Sequence, residues 1–328
     1  MPPARAVAPL EPPAISAEVA LLSRGSSSNA TASTGAACIS LVAYENVVWI
    51  DALLDNALTL TGARVALHLN SLSEYDAFDL ERWAAMERVV LSQERVAVSR
   101  NTGSILYAHL INARTLNASF PTTCTHLVLQ ASNMAWVRPG MDAEVTRRHS
   151  FLTDDAALAN VSAASCSALY AGRVGANQIC SAALRSPIVQ HLARKRGLWT
   201  WKAHEGSFYP LAWVLEFGAA LDSWAQANRF NVLEATPMPE EFWLPIWVLN
   251  EKAEATPAEA SGPQVAMRGP EDCDYCISRD VVDGLRQNGG PYFGVKRIER
   301  DLSNEVTQYV FSLALRERLR PSRYSREL

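Results

Sequence analysis

The sequence lacks any long hydrophobic run. Nowhere do about 18 consecutive apolar residues follow one another, so the chain as given contains no transmembrane helix. It also lacks an excess of basic charge, because 30 Lys and Arg stand against 34 Asp and Glu and the formal net charge is −4. This balance gives no sign of binding to nucleic acid or to an anionic membrane. The sequence also contains no Walker loop, no GxGxxG motif, no HExxH motif and no internal repeat. It therefore carries no motif that would indicate a P-loop enzyme, a dinucleotide-binding protein or a zinc protease.

Cysteine is scarce as well. The six cysteines are Cys38, Cys124, Cys166, Cys180, Cys273 and Cys276. An even, sparse set suits either a lumenal enzyme with disulfides or a reduced cytosolic one. Cys273 and Cys276 form a CxxC, but no second CxxC or close His pair completes a zinc site. Sequons at Asn29, Asn117 and Asn160 only slightly favour a secretory route.

The composition that remains is that of an ordinary globular protein, with 48% apolar and 20% charged residues in 328. Residues 1–36 are rich in Pro, Ala and Ser and are typical of a flexible leader. Ordered structure is expected from residue 37 to residue 312. Residues 253–274 are predicted to be a loop-like insertion from their Pro, Gly and Ala content, and residues 313–328 a solvated basic tail.

Four β-prone runs alternate with helical segments in the first part of the ordered region. The runs are "ACISLVAYEN", "ARVALHLNS", "RVVLSQ" and "THLVLQASNMAW". Helices are predicted between them, the first ending at Gly62 and the second with Ser73 as its cap. This alternation predicts an α/β fold with a mostly parallel sheet and helices on both faces. From Pro139 onward the chain is expected to be more helical and less regular.

Polar residues end the second and fourth predicted strands. Asn70 and Ser71 follow one run, and Ser132 and Asn133 interrupt the other. Ligands of parallel α/β sheets collect where the carboxyl ends of the strands open, so these side chains are candidates to line a pocket. The alternative is that they form ordinary turns.

Two adjacent acids stand inside an otherwise apolar segment, "TPMPEEFWLPIWVLN". Glu240 and Glu241 precede a run that predicts the start of a buried helix. Burying a carboxylate is costly unless the group is paired or used in chemistry. The acids therefore either occupy the helix N-terminus in solvent, where negative charge is favoured, or serve a functional site.

Taken in order, several segments resemble the core-2/I-branching N-acetylglucosaminyltransferase and xylosyltransferase family. The similar segments are "VALHLN", "RVVLSQERVAVSRNTGSILYAHLINARTL", "THLVLQASNMAWVRPGMDAEV", "HEGSFYPLAWVLEF", "MPEEFWLPIWVLN" and "PYFGVKRIERDLSNEV". They cover roughly residues 38 to 312, and a more distant branch with the same GT-A-type fold is an alternative. Two departures stand out: Ser132, Asn133 and Met134 replace the family's S-G-x-D, and the one Asp-x-Asp is Asp272-Cys273-Asp274, in the predicted insertion.

The resemblance implies a GT-A-like glycosyltransferase, with a Rossmann-like nucleotide-sugar half at about 37–138 and a more irregular acceptor half at about 139–312. The reaction would be inverting, with a UDP- or GDP-sugar donor and a glycan acceptor. Glu241 aligns with the family's catalytic glutamate and Lys296 with its diphosphate-binding lysine, while Arg297 could share that second role. Glu205, with His204, is the next candidate for the base.

The resemblance and the strand ends together give two further sets of candidate residues. Nucleotide-sugar contacts are expected from Tyr44, Glu45, Asn46, Asn70, Ser132 and Asn133. Acceptor contacts are expected from Trp201, His204, Gly206, Ser207 and Glu240. Gly206 would let a ligand approach the backbone. The structural alternatives are a helix cap for Ser207, a loop histidine for His204 and strand packing for Trp201.

Several points stay open at this stage. No metal ligand is assigned, although a divalent cation, Mn²⁺ or Mg²⁺, is an open cofactor. The compartment is either the Golgi lumen or the cytoplasm, and membrane association would require a missing anchor or a partner. The alternative function is a non-catalytic carbohydrate-binding or scaffolding protein with the same fold. A nucleotidyltransferase would need a Gly-rich loop after the first strand, and "VAYENVVW" contains no glycine.

Overall fold

The computed structural model describes residues 37–147, 176–198, 206–236, 238–252, 265–268, 277–288 and 290–319. All of them belong to one compact unit. The helices in this part of the chain are α1 Val47–Leu60, α2 Ala77–Ala84, α3 Gly103–Ser119, α4 Met141–Arg147, α5 Ala176–Arg185, α6 Pro187–Ala193, α7 Leu211–Asn228, α8 Pro239–Glu251, α9 Arg279–Asn288 and α10 Glu305–Arg318.

A five-stranded sheet lies at the centre of the described residues. Its strands are β1 Ala37–Ala43, β2 Arg64–Leu69, β3 Val89–Leu91, β4 His126–Ala131 and β6 Phe208–Pro210, in the order β3-β2-β1-β4-β6. The first four are parallel, and β6 is antiparallel to β4. All seven residues of β1 are buried. A nearly continuous apolar run such as this one is typical of a parallel strand that is covered on both faces. The predicted mostly parallel α/β sheet is confirmed.

Helices cover both faces of this sheet, as the alternation predicts. On one face, α1 and α10 share a core with alternate β1 residues such as Ile39. On the other face, α3, α7 and α8 form a second core that includes Leu110, Phe217 and Trp247 together with Cys38 of β1. Successive β1 side chains reach opposite cores because strand side chains alternate between the two faces.

The second helix begins later than the sequence predicts. The cap of α2 is Asp76, whose side chain accepts a hydrogen bond from the Asp79 N–H, so the predicted cap at Ser73 is wrong. The Ser73 N–H donates to the Asn70 carbonyl at 3.0 Å, and its hydroxyl donates to the Tyr44 carbonyl at 3.3 Å. Ser73 therefore closes a turn beside the end of β1, and the helix starts only after that turn.

A second, smaller sheet contains β5 Met134–Trp136, β7 Ala266–Arg268 and β8 Gly294–Lys296, in the order β5-β8-β7. The fourth predicted strand therefore divides at Ser132 and Asn133, and its two halves join different sheets. The buried Gln130 bridges them, since its amide donates to the Met134 carbonyl and accepts from the Trp136 indole N–H. The loop prediction for residues 253–274 is wrong at β7, which pairs with β8.

The C-terminal helix also differs from the prediction. α10 continues to Arg318, although the basic tail is predicted to begin at residue 313. Leu313 and Ala314 are buried in it, and Arg318 pairs with Asp55 of α1. The arginines near the C-terminus belong to an amphipathic helix. The charged side chains of α10 lie outward, whereas its apolar side chains pack on α1.

A disulfide joins Cys38 at the start of β1 to Cys124, two residues before β4. The Cα atoms are 5.6 Å apart, and 86 positions of sequence separate the two residues. Both cysteines are buried. The bridge joins the amino ends of β1 and β4, at the edge of the sheet opposite to their carboxyl ends.

Candidate functional site

The strand order reverses between β1 and β4. From β1 the chain proceeds outward through β2 to β3, and it then returns to place β4 on the other side of β1. The connections that follow β1 and β4 therefore leave the sheet in different directions. In open α/β sheets a crevice forms at this reversal, beyond the carboxyl ends of the two strands, and ligands bind there. Residues that follow β1 and β4 are thus the first candidates for a site.

Tyr44, Glu45 and Asn46 follow β1. Tyr44 is 45% exposed, which is unusual for a large aromatic side chain in the described part of this chain. The Glu45 carboxylate accepts from the Tyr44 backbone N–H at 3.0 Å and from the Ser132 hydroxyl. Asn46 caps α1, because its side-chain oxygen accepts from the Trp49 N–H at 2.9 Å. Asn46 thus has a structural role beside its predicted one.

Ser132 and Asn133 follow β4 on the other side of the reversal. The Trp49 indole donates to the Ser132 carbonyl at 2.8 Å, which fixes the turn between β4 and β5. The Asn133 carbonyl accepts from the backbone N–H groups of Arg297 at 2.8 Å and Ile298 at 3.0 Å. These bonds hold the chain that leaves β8 against the carboxyl end of β4, which brings the predicted basic pair to the crevice.

Lys296 and Arg297 occupy the end of β8 and the residue after it. Lys296 is only 9% exposed and lies opposite Met134 in the small sheet. Arg297 has φ of 71°, in the left-handed region that costs a non-glycine residue about 1 kcal/mol or more. Such strained residues cluster at functional sites, where the surrounding structure holds them in place.

Arg300 completes the group at the crevice, and sequence reasoning missed it. Its Nε lies 2.6 Å from Oε1 of Glu45, and its Nη2 donates to the Tyr44 hydroxyl at 2.7 Å and to the Ser132 hydroxyl at 3.2 Å. The guanidinium also lies over the Tyr44 ring, 5.2 Å from its centroid. We call Tyr44, Glu45, Ser132 and Arg300 the switch-point cluster. In sequence, Arg300 was one cation in a crowded charge run, and nothing there points to Glu45.

Asn70 lies at the same edge, one strand further along. Its side-chain oxygen accepts from the N–H groups of Leu72 at 3.2 Å and Val98 at 3.0 Å. The Arg95 guanidinium donates to the carbonyls of Leu69, Asn70 and Ser73. Asn70 thus holds the β3–α3 connection over the end of β2 by hydrogen bonds. The contacts described for its side-chain oxygen are all with the protein itself.

His68 in β2 supports the same connection from beneath. It is fully buried, and its Nε2 accepts from the Val96 N–H at 3.3 Å. Burial lowers the pKa of His68 to about 4, and the positive charge of Arg95 acts in the same direction. His68 is therefore neutral at pH 7, and its single described hydrogen bond requires an unprotonated Nε2.

Glu240 and Glu241 lie in the first turn of α8, so the predicted buried helix is confirmed. The Glu241 N–H donates to the Met238 carbonyl at 3.0 Å, and the Met238 N–H donates to the Asn101 carbonyl at 3.0 Å. Met238 and Asn101 both have positive φ, at 42° and 64°. Both carboxylate residues are only partly exposed, and Oε2 of Glu240 is buried. The acids thus occupy a helix N-terminus, as one alternative predicted, but at a strained backbone junction.

The position of this backbone junction shows where Glu241 lies relative to Lys296 and Arg297. Asn101 directly precedes the α3 cap, Thr102, and α3 starts at the carboxyl edge of the sheet because it follows β3. Glu241 therefore approaches the same edge as Lys296. The two arrive from opposite faces, since Phe242 belongs to the core with α3 and α7, whereas Val295 belongs to the core with α1 and α10.

Gly206 and Ser207 lie at the entry to β6. The Gly206 N–H donates to the Leu129 carbonyl, and the Leu129 N–H donates to the Ser207 carbonyl at 2.9 Å. Gly206 has φ of 94°, and a Cβ placed there would lie 2.7 Å from Cβ of Ala266. Glycine is needed at this position for packing against β7, and the ligand approach to its backbone stays a prediction. Ser207 precedes a strand, so the helix-cap alternative is wrong.

Three predicted residues, Trp201, His204 and Glu205, lie outside the described residues, and so does the segment Asp272-Cys273-Asp274. Within the described ranges, no group of three or more His, Cys, Asp or Glu side chains is placed to hold a metal ion. None of the helices in those ranges is long and apolar enough to cross a membrane.

Comparison with models of known protein families gives no match, and comparison with curated proteins gives no significant match. The function therefore has to be inferred from the residues at the crevice and their geometry.

Proposed function

We propose that the protein is a glycosyltransferase with a GT-A-like fold, which transfers a sugar from a UDP- or GDP-sugar to a glycan hydroxyl with inversion. The observation that carries this proposal is the pair of hydrogen bonds from Arg297 and Ile298 to the Asn133 carbonyl. These bonds hold a segment with three cations, Lys296, Arg297 and Arg300, at the reversal point of a parallel sheet. A diphosphate needs positive charge at the place where such sheets bind nucleotides.

Transfer of a sugar places growing negative charge on the departing diphosphate. Lys296 supplies a compact charge in a largely buried position, where electrostatic interactions are stronger than in water. Arg297 and Arg300 supply planar guanidinium groups, which match phosphate oxygens in pairs. Tyr44, partly exposed beside this segment, offers an aromatic ring to the nucleoside.

The acceptor hydroxyl must lose a proton as it attacks the anomeric carbon. In this proposal Glu241 accepts that proton, since a base has to lie within hydrogen-bond reach of the hydroxyl. Because Glu241 lies on the α8 side of the edge, the proposal has the acceptor bind on that side and the nucleotide on the β5–β8 side. The apolar residues after Glu241, beginning with the buried Phe242 and Trp243, reduce the local polarity. Glu205, outside the described residues, is the alternative base.

The test is donor hydrolysis by the full chain. The protein is incubated with a panel of UDP- and GDP-sugars, with Mn²⁺ and with EDTA, and released nucleoside diphosphate is measured. We expect release from at least one donor and a rise in melting temperature with the matching nucleoside diphosphate. Absence of release and of any thermal shift across the panel would contradict the proposal. It would favour the non-catalytic carbohydrate-binding or scaffolding function, which binding to a glycan array would then test.

A further inference from the structure

We infer that Arg300 is an exchangeable anion-binding residue: Glu45 holds it in the ligand-free protein, and a nucleoside diphosphate takes it over when bound. This inference rests on the proposed function, because it assumes that a diphosphate enters the crevice. In this inference, the Glu45 carboxylate is the anion that holds Arg300 and the segment after β8 in place while no nucleotide is bound.

The ion pair is asymmetric in its exposure. The Glu45 side chain is 8% exposed, whereas that of Arg300 is 31% exposed. The carboxylate is thus part of the sheet edge, and the guanidinium approaches it from the crevice. A solvent-accessible arginine can meet an incoming anion, while the carboxylate beneath it stays fixed.

Glu45 keeps hydrogen-bond donors if Arg300 leaves. The Tyr44 backbone N–H donates to its Oε2, and the Ser132 hydroxyl donates to its Oε1. Removing one partner of a buried ion pair is usually costly because it leaves an uncompensated charge. Here two donors from the protein remain, so the exchange exposes no unsatisfied carboxylate.

Arg300 also keeps a partner during the exchange. Its guanidinium lies over the Tyr44 ring at 5.2 Å from the centroid, which is within the range of a cation–π contact. The arginine can turn from Glu45 toward a phosphate while it remains stacked on Tyr44. Its backbone lies in the irregular segment between β8 and α10, so no strand or helix has to break for this movement.

The exchange predicts opposite effects for its two partners. Arg300→Met should weaken UDP or GDP binding about 10- to 100-fold, the usual contribution of a charge-assisted hydrogen bond. Glu45→Gln removes the competing carboxylate and should tighten the same binding about 2- to 5-fold. If the pair were only a structural clamp, both substitutions would loosen the segment, and both would weaken binding.

The measurement is titration calorimetry of the full chain with UDP, GDP and the corresponding monophosphates. The matched control is Arg82→Met, since the Arg82 side chain is 32% exposed and pairs with an aspartate at 2.7 Å, but it lies on α2 and its partner, Asp51, on α1. We expect Arg300→Met to lose most of the preference for diphosphate over monophosphate, and Arg82→Met to keep it. Arg300→Lys should be intermediate, because it keeps the charge and loses the planar fork.

The outcomes separate this inference from the proposed function. If the unchanged protein binds neither UDP nor GDP, the proposed function fails, and the inference fails with it. If the unchanged protein binds and Arg300→Met binds equally well, the inference alone is overturned. Weaker binding by Glu45→Gln, in a variant whose melting temperature is unchanged, would likewise overturn the exchange and leave Arg300 as an ordinary contact.

Discussion

The carbonyl of Asn133 accepts the N–H of Arg297 at 2.8 Å, and this contact joins the end of the central sheet to the start of the segment that follows β8. It brings a residue of the first half of the chain against one near the C-terminus. Arg297 needs a left-handed backbone to make the contact, with φ of 71°. The cost of that conformation is offset by two hydrogen bonds to one carbonyl, since Ile298 donates to Asn133 as well.

Lys296→Ala should weaken binding of UDP or GDP about 10-fold or more, because the proposed diphosphate site loses a largely buried lysine. Lys195→Ala is the matched control, since Lys195 is exposed and pairs with Glu251 at the other end of α8. Equilibrium titration of both variants with the nucleoside diphosphate checks the prediction. Equal affinity for the two variants would remove Lys296 from the diphosphate site.

Glu241→Gln should lower the rate of sugar transfer by about 10²-fold or more and leave nucleotide affinity nearly unchanged, as the loss of a general base does. Glu234→Gln is the control, because it removes the charge of an exposed glutamate that precedes α8, and it should leave turnover unchanged. Steady-state turnover and UDP or GDP affinity are measured for both variants. An undiminished rate in Glu241→Gln would exclude Glu241 as the base and turn attention to Glu205.

The sheet could be predicted from the sequence because its strands are buried on both faces. β1 and β2 are nearly continuous apolar runs, and the helices between strands have the expected length. The division of the fourth run could not be predicted in this way. β4 and β5 are both apolar and only two residues apart, so periodicity does not reveal that Ser132 and Asn133 carry the chain from one sheet to another.

The candidate site could be predicted only in part. The sequence predicts Tyr44, Ser132 and Lys296 as site residues, because polar or basic residues at strand ends are recognisable in a sequence. It does not predict Arg300, since the contact of Arg300 with Tyr44 joins residues 256 positions apart, and no local pattern encodes such a pair. Nor does it predict the hydrogen bond from Val98 to Asn70, because the path of the β3–α3 connection over β2 is a tertiary feature.

Gly206→Ala should destabilise the protein by about 1–3 kcal/mol, because alanine at φ of 94° is strained and its Cβ would lie 2.7 Å from Cβ of Ala266. Gly284→Ala is the opposite case. Gly284 lies inside α9, where an added Cβ meets nothing within 4 Å, so alanine should stabilise by up to about 1 kcal/mol. Urea denaturation of both variants gives the two free energies. Changes of the same sign would contradict the packing role of Gly206.

Stability should fall as the pH drops from about 6.5 to about 4, and His68 should carry part of this loss. Its pKa is about 4 in the folded protein and 6.5 in the unfolded chain, so the unfolded state binds more protons in this window. The contribution is fully present above pH 6.5 and is lost toward pH 4. Its size is on the order of 3 kcal/mol. Protonation of Nε2 would also break the hydrogen bond from the Val96 N–H.

Urea unfolding at pH 7 and pH 5 measures this dependence. His68→Gln cannot titrate, so the difference between the two pH values should shrink in that variant. His191→Gln is the comparison: His191 lies on α6, burial lowers its pKa as well, and its substitution should leave the contribution of His68 in place. A pH dependence equal in the unchanged protein and in His68→Gln would show that other groups are responsible.

Reduction of the Cys38–Cys124 disulfide should lower the free energy of unfolding by about 4 kcal/mol, because the bridge closes a loop of 86 positions and restricts the unfolded chain. Urea denaturation with and without dithiothreitol measures the change. The double variant Cys38→Ser/Cys124→Ser provides the control: it should be about as unstable as the reduced protein, and dithiothreitol should change it little. Equal stability of the oxidised protein and the double variant would show that the bridge does not stabilise the sheet. Disulfides form and persist mainly in oxidising compartments, so finding the bridge in protein isolated from its native source would favour the Golgi lumen over the cytoplasm.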